Sequence, residues 1–76
     1  MAVTVYSTPT CPWCKKVKAF LKENKVSFKN VDVSSDEKKA KEMMDKSGQM
    51  GVPVIDANGT IVTGFDEAKL KSALKL

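Results

Sequence analysis

Two strand-like stretches separated by one segment of helical length constrain this chain more than any other feature. Residues 2–6, Ala-Val-Thr-Val-Tyr, have the β-branched and aromatic make-up of a buried strand. They end in the polar, proline-containing loop Ser7-Thr8-Pro9-Thr10. Beyond it Cys14, Val17 and Leu21, with Phe20 beside them, recur at the i, i+3, i+7 spacing of one apolar helical face, and the lysines fall on the other side. A helix is expected from about Pro12 to Asn24, because proline suits a first turn whose N–H has no partner anyway. A second strand follows around Ser27 to Val33, with Phe28, Val31 and Val33 apolar. Two strands joined through a helix run parallel, with a right-handed crossover.

The rest of the chain adds to that unit. Ser34 and Glu37 have capping-box spacing, so Ser34 is expected to open a second helix that turns Ala40, Met43 and Met44 inward and stops at Gly48. Val52-Pro53-Val54-Ile55 and Ile61-Val62 read as short strands joined by Asp56-Ala57-Asn58-Gly59. Asn-Gly is the favoured sequence for a tight hairpin, which makes this pair antiparallel. Gly64 separates the hairpin from a last helix, capped by Asp66, with Leu70, Ala73 and Leu74 as its buried face. The order β-α-β-α-β-β-α predicts an α/β fold: one four-stranded mixed sheet flanked by helices, a single domain over residues 1–76. No repeat, linker or low-complexity stretch interrupts it.

Charge narrows the range of functions. The formal net charge of +4 comes from lysine alone, since the chain has neither Arg nor His. Without Arg the bidentate contacts of nucleic-acid readers are unavailable, and the lysines are dispersed from Lys15 to Lys75, so no nucleic-acid partner is expected. Lys15, Lys16 and Lys18 directly follow the cysteines, where a local positive field can attract an anionic thiol substrate. Without His, Cys–His and Ser–His catalysis are excluded. No apolar run is long enough to span a membrane, and Met-Ala-Val-Thr-Val lacks the pattern of a secretory leader. A cytoplasmic, monomeric protein is the expectation.

Cys11-Pro12-Trp13-Cys14 carries the chemistry. Haem attachment asks for His after the second cysteine, and Lys15 stands there. Tetrahedral zinc asks for four ligands, of which one chain offers two, so no metal site is expected. A structural disulfide closing so short a loop restrains the unfolded chain little. A redox pair explains the placement after a strand and at a helix start, where unpaired backbone N–H groups and the positive end of the helix dipole favour a thiolate. Lys15, one turn along, adds to that field. Cys14 lies on the apolar face and is expected to be the less exposed and less acidic thiol. The roles follow: Cys11 attacks, and Cys14 resolves the mixed disulfide.

With these residues in view, the chain resembles the glutaredoxins, compact members of the thioredoxin-fold superfamily, over essentially its whole length. The resemblance rests on Tyr6-Ser7-Thr8-Pro9-Thr10-Cys11-Pro12-Trp13-Cys14, Ser47-Gly48-Gln49-Met50-Gly51-Val52-Pro53 and Thr63-Gly64-Phe65-Asp66. It implies a cis Val52-Pro53 bond beside the cysteines and a glutathione site. In that site Val52 offers its backbone to the cysteinyl unit, and Gly64, Phe65 and Asp66 hold the γ-glutamyl end. Gln49 approaches the glycine carboxylate, and Trp13 forms part of the groove wall. Asp66 as a plain helix cap and Gln49 as a solvated loop residue are the alternatives from the residues themselves. Thr8 stands where many relatives have Lys, and Thr63-Gly64 where Gly-Gly is usual; both departures weaken the case for tight glutathione binding. The implied activity is reduction of protein disulfides and glutathione mixed disulfides, with glutathione as co-substrate and no bound cofactor. The alternatives are an electron donor served by thioredoxin reductase and, in a different class, an iron–sulfur carrier.

Overall fold

The computed structural model describes residues 3–49 and 51–75, so Ala2 of the expected first strand and Met50 of the quoted motif lie outside the described residues. The elements in chain order are β1 (Val3–Ser7), α1 (Pro12–Glu23), β2 (Lys29–Asp32), α2 (Glu37–Ser47), β3 (Val54–Ala57), β4 (Thr60–Thr63) and α3 (Glu67–Leu74). They form one four-stranded sheet in the order β2-β1-β3-β4. β1 and β2 are parallel, whereas β3 is antiparallel to both β1 and β4. The mixed sheet flanked by helices is the thioredoxin-like α/β fold.

Alternation along the strands sends side chains to two cores, one on each face. Val3 and Val5 of β1, Ile55 and Ala57 of β3 and Val62 of β4 meet Val17, Phe20 and Leu21 of α1 and Leu70 and Leu74 of α3. On the opposite face Tyr6, Val31 and Val54 pack with Met43 of α2. α1 and α3 therefore share one face and α2 covers the other. Val5, Leu21, Ile55 and Leu70 are completely buried. Truncating such a leucine to alanine costs about 2–5 kcal/mol, a large part of a small domain's stability.

The hairpin forms as its Asn-Gly pair dictates: Asn58 (φ 53°) and Gly59 (φ 98°) both take the left-handed conformation of a two-residue turn. Several local expectations change. Strand β2 is shorter than Ser27–Val33, and β3 starts at Val54, leaving Val52 and Pro53 ahead of it. Asp36, not Ser34, caps α2; its carboxylate accepts the N–H groups of Lys38 and Lys39 at 3.0 and 3.2 Å. Ser34 is drawn backwards instead, donating its N–H and hydroxyl to Asp32 Oδ1 at 2.9 and 2.6 Å. Met44 points to solvent, 39% exposed, rather than inward. Glu42 and Lys46 reach Tyr6 on the sheet side of α2, so the contact face is centred on Met43, and Met44, one residue on, rotates about 100° out of it.

Candidate functional site

The ends of three strands bring together segments that are distant in sequence. Tyr6 near the end of β1 is level with Val54 at the start of β3, and Val54 with Thr63 at the end of β4. The loop to Cys11, the Val52-Pro53 segment and Gly64-Phe65 therefore all leave the sheet at the same end. The Val52-Pro53 peptide bond is cis, as the resemblance implies, and Pro53 is buried. Its carbonyl accepts the Gly64 N–H at 2.9 Å, which fixes the Gly64-Phe65-Asp66 segment beside it. Gly64 takes φ 74°, a conformation that a side chain would strain.

Cys11 is the N-cap of α1, with the extended backbone (φ −90°, ψ 111°) usual for that position, and Pro12 opens the helix. Its sulfur takes the place of a capping oxygen: the Cys14 N–H donates to Cys11 Sγ at 3.1 Å. Negative charge on this sulfur meets that N–H and the positive end of the helix, and the first turn holds no acidic side chain to oppose it. The Cys11 N–H is tied back to the Thr8 carbonyl at 3.4 Å. At the end of β1, Ser7, almost fully buried, donates its hydroxyl to Asn30 Oδ1 of β2 at 2.6 Å.

The two thiols are free and differ sharply in setting: Cys11 is half-buried, and Cys14 is buried completely. Burial pushes the Cys14 thiol up to about 11, helped by its hydrogen bond with Cys11 and by the charge on that sulfur. A backbone hydrogen bond at Thr8 and the positive charge of Lys18 pull the other way. The expected asymmetry in exposure is thus present. The lysine acting on Cys14 is Lys18, which sequence reading had grouped only as part of a charged cluster. Lys15 is exposed, and among the described residues its ammonium forms no ion pair.

Trp13, between the cysteines, is 54% exposed. Its ring centroid lies 6.5 Å from that of Phe65, and Phe65 meets Phe20 edge-on at 6.1 Å. This aromatic row joins the start of α1 to the segment ahead of α3. Lys16 Nζ sits 4.3 Å from the Trp13 ring centre, a cation–π contact. Val52 is half-buried against the Tyr6–Val54 core. Asp66 caps α3, accepting the Lys69 N–H at 3.1 Å, so its plain capping role is real. Gln49 is exposed and held within its own loop, its N–H donating to Ser47 Oγ at 3.2 Å and its amide to the Gly51 carbonyl at 3.4 Å. The structure gathers Cys11, Trp13, Val52, Pro53, Gly64, Phe65 and Asp66 at one end of the sheet; no side-chain contact draws Gln49 or Lys15 to the sulfurs. A shallow hollow of about 350 Å³ between β4 and α3, lined by residues including Ile61, Val62, Lys69 and Ala73, lies away from Cys11.

The glutaredoxin family profile matches residues 3–62. Over 73 residues the chain is 45% identical to a glutaredoxin-like 8.6 kDa protein from the rubredoxin operon of Clostridium pasteurianum, covering 96% of this chain and 97% of that one. It is 34% identical over 65 residues to glutaredoxin 3 of Escherichia coli K12, covering 86% and 78% of the two chains. The crystal structure of a glutaredoxin from Archaeoglobus fulgidus superposes with a TM-score of 0.91 at 32% identity, over 100% of this chain and 89% of that one.

Proposed function

The chain belongs to the glutaredoxin family, and on that premise we propose that it is a glutathione-linked dithiol oxidoreductase that reduces protein disulfides and glutathione mixed disulfides. One observation carries the reading: an accessible cysteine whose sulfur caps a helix, 3.1 Å from the N–H of a second, fully buried cysteine. The Cys11 thiolate attacks one sulfur of the substrate disulfide, forming a mixed disulfide and expelling the other sulfur as a thiolate, which takes up a proton. Cys14 then loses its proton and attacks Cys11. The Cys11–Cys14 disulfide forms, and the substrate leaves as its second thiol. Two electrons have passed to the substrate; two glutathione thiols, becoming glutathione disulfide, return them. On a glutathione mixed disulfide, a second glutathione can instead attack the adduct on Cys11 directly.

Within this reading Val52 and Pro53 present backbone to the glutathione cysteinyl unit, and Gly64, Phe65 and Asp66 the start of α3 to its γ-glutamyl carboxylate. Trp13 walls the groove, Gln49 serves the glycine carboxylate, and Lys15 supports the charge of the nucleophile. Among the described residues no helix is long and apolar enough to cross a membrane. The setting proposed is the reducing cytoplasm, where such a dithiol stays reduced.

A second reading, a donor reduced by thioredoxin reductase, is favoured by Thr8 in place of a cation and by the Gln49 amide being engaged in its own loop. The test follows NADPH consumption by the oxidised protein with glutathione and glutathione reductase, and separately with thioredoxin reductase. Turnover with glutathione is expected; turnover with thioredoxin reductase alone overturns the first reading in favour of the second. Cys11→Ser is expected to abolish both. Cys14→Ser should keep reduction of glutathione mixed disulfides while lowering reduction of protein disulfides at least about tenfold, since the resolving thiol is gone.

A further inference from the structure

The proposed chemistry leaves the charge distribution around Cys11 unexplained. α1 carries four lysines, Lys15, Lys16, Lys18 and Lys22, against the single acid Glu23 at its far end. α2 carries the same number, Lys38, Lys39, Lys41 and Lys46, but balances them with Glu37, Glu42 and Asp45. Ion pairs among the described residues join Lys39 to Glu42 and Lys46 to Asp56, and none involves a lysine of α1. The imbalance is also directional. Cys11, Lys15, Lys18 and Lys22 recur at i, i+4, i+7 and i+11, so they form one straight stripe about 16 Å long. Trp13 and Phe20 lie on the other flank, toward Phe65. Lys16 is turned away over the Trp13 ring. Lys15 and Lys22 are exposed, Lys18 is half-buried, and exposed Lys25 lies just past the helix end. Lys15–Lys18 and Lys18–Lys22 are like-charge neighbours of the kind that destabilises a helix, and no ion pair among the described residues compensates them.

We infer that this flank of α1 is a docking face for an acidic protein surface beside the substrate's disulfide. The deduction rests on the dithiol reading above and names the class of protein substrate it takes. An acidic partner neutralises the stripe, speeds encounter and delivers its disulfide to the end where Cys11 stands. A partner with basic surroundings is repelled at the same place.

The experiment uses pre-reduced protein in single turnover, so glutathione is absent. The substrates are two synthetic peptide disulfides, identical except for four Glu or four Lys beside the cysteine, and neutral 2-hydroxyethyl disulfide. At about 10 mM salt, where screening reaches only beyond about 30 Å, the acidic peptide should react roughly tenfold faster than the basic one. At about 1 M salt the preference should collapse. Lys22→Glu combined with Lys25→Glu, far from both sulfurs, should remove or invert the preference while the rate with 2-hydroxyethyl disulfide stays within about twofold, which also verifies folding. Equal rates for the two peptides at low salt, or a preference untouched by the double substitution, overturn the docking face. If none of the three disulfides reacts with the unaltered protein, the dithiol reading itself falls and the docking face falls with it. A short duplex DNA that competes with the acidic peptide at equal charge concentration would assign the stripe to general polyanion binding and likewise overturn it.

Discussion

Cys11 and Cys14 are three residues apart, yet one is half-buried and the other fully buried, and on the proposed reading that difference times the chemistry. The Cys14 thiol is held protonated, up to about 11, by burial first and then by its hydrogen bond and charge interaction with Cys11. In the proposed cycle the Cys11 sulfur becomes bonded to the substrate, so two of the three causes that raise the Cys14 thiol weaken and Cys14 ionises more readily. On that reading the resolving thiol is quiet until it is needed. The same setting gives a stability prediction with a definite sign. The unfolded chain releases the Cys14 proton near the ordinary thiol value of 9, whereas the folded chain keeps it to about 11. Below that window both states are protonated; within it the unfolded state binds fewer protons, so stability falls as pH rises. Urea unfolding of the reduced protein between pH 8 and 11 should show this loss, and Cys14→Ala should make the slope shallower. An unchanged slope would mean that the buried thiol does not titrate between these values.

At the scale of elements, the second helix shows how two local rules compete. Ser34 and Glu37 have the spacing of a capping box, but Asp36 stands closer to the helix and its carboxylate takes the N–H groups of Lys38 and Lys39. Asp32, at the end of β2, meanwhile captures Ser34 in a turn of its own. The capping-box spacing pointed to Ser34; that Asp36 caps instead depended on where β2 ended. Asp36→Ala should therefore cost about 1 kcal/mol in urea unfolding, whereas Ser34→Ala should cost about 0.5 kcal/mol or less, its hydroxyl bond being exposed. Equal costs would restore Ser34 as the cap. The other helix starts were legible without ambiguity: Pro12 behind Cys11, and Asp66 ahead of α3, each became what its residue type favours. The hairpin was equally plain, because Asn58 and Gly59 tolerate the left-handed backbone that joins two such strands.

Across the whole molecule, α2 is fastened to the sheet by a network with no local signature. Buried Tyr6 of β1 donates to Glu42 Oε2 at 2.7 Å and accepts from Lys46 Nζ at 3.1 Å, and Lys46 also pairs with Asp56 of β3 at 2.9 Å. The Lys46 ammonium, mainly by its bond to Asp56, holds that carboxyl below its ordinary range. The pair therefore contributes fully at neutral pH, and its contribution is lost as pH falls through and below the normal carboxylate range. Lys46→Met should cost about 1 kcal/mol at pH 7 and less near pH 2, where only its bond to Tyr6 remains, a difference that paired unfolding curves would read directly; a pH-independent cost would point to lost packing instead. The participants are separated by 36 and 40 residues from Tyr6 to Glu42 and Lys46, so no spacing rule joins them. The reactive end has the same divided origin. By itself the sequence determined the order of strands and helices, the hairpin, the helix start behind Cys11 and the unequal burial of its two thiols, because each depends on groups within about one helical turn or one pleat of each other. Only the tertiary structure decided that Pro53 and Gly64 join beside that cap, that Asp36 outranks Ser34, that Met44 faces water, and that Lys46 clasps Tyr6 and Asp56. Those outcomes depend on strand register and on which faces are left to pack, and both are set when segments distant in the chain bury their apolar sides together.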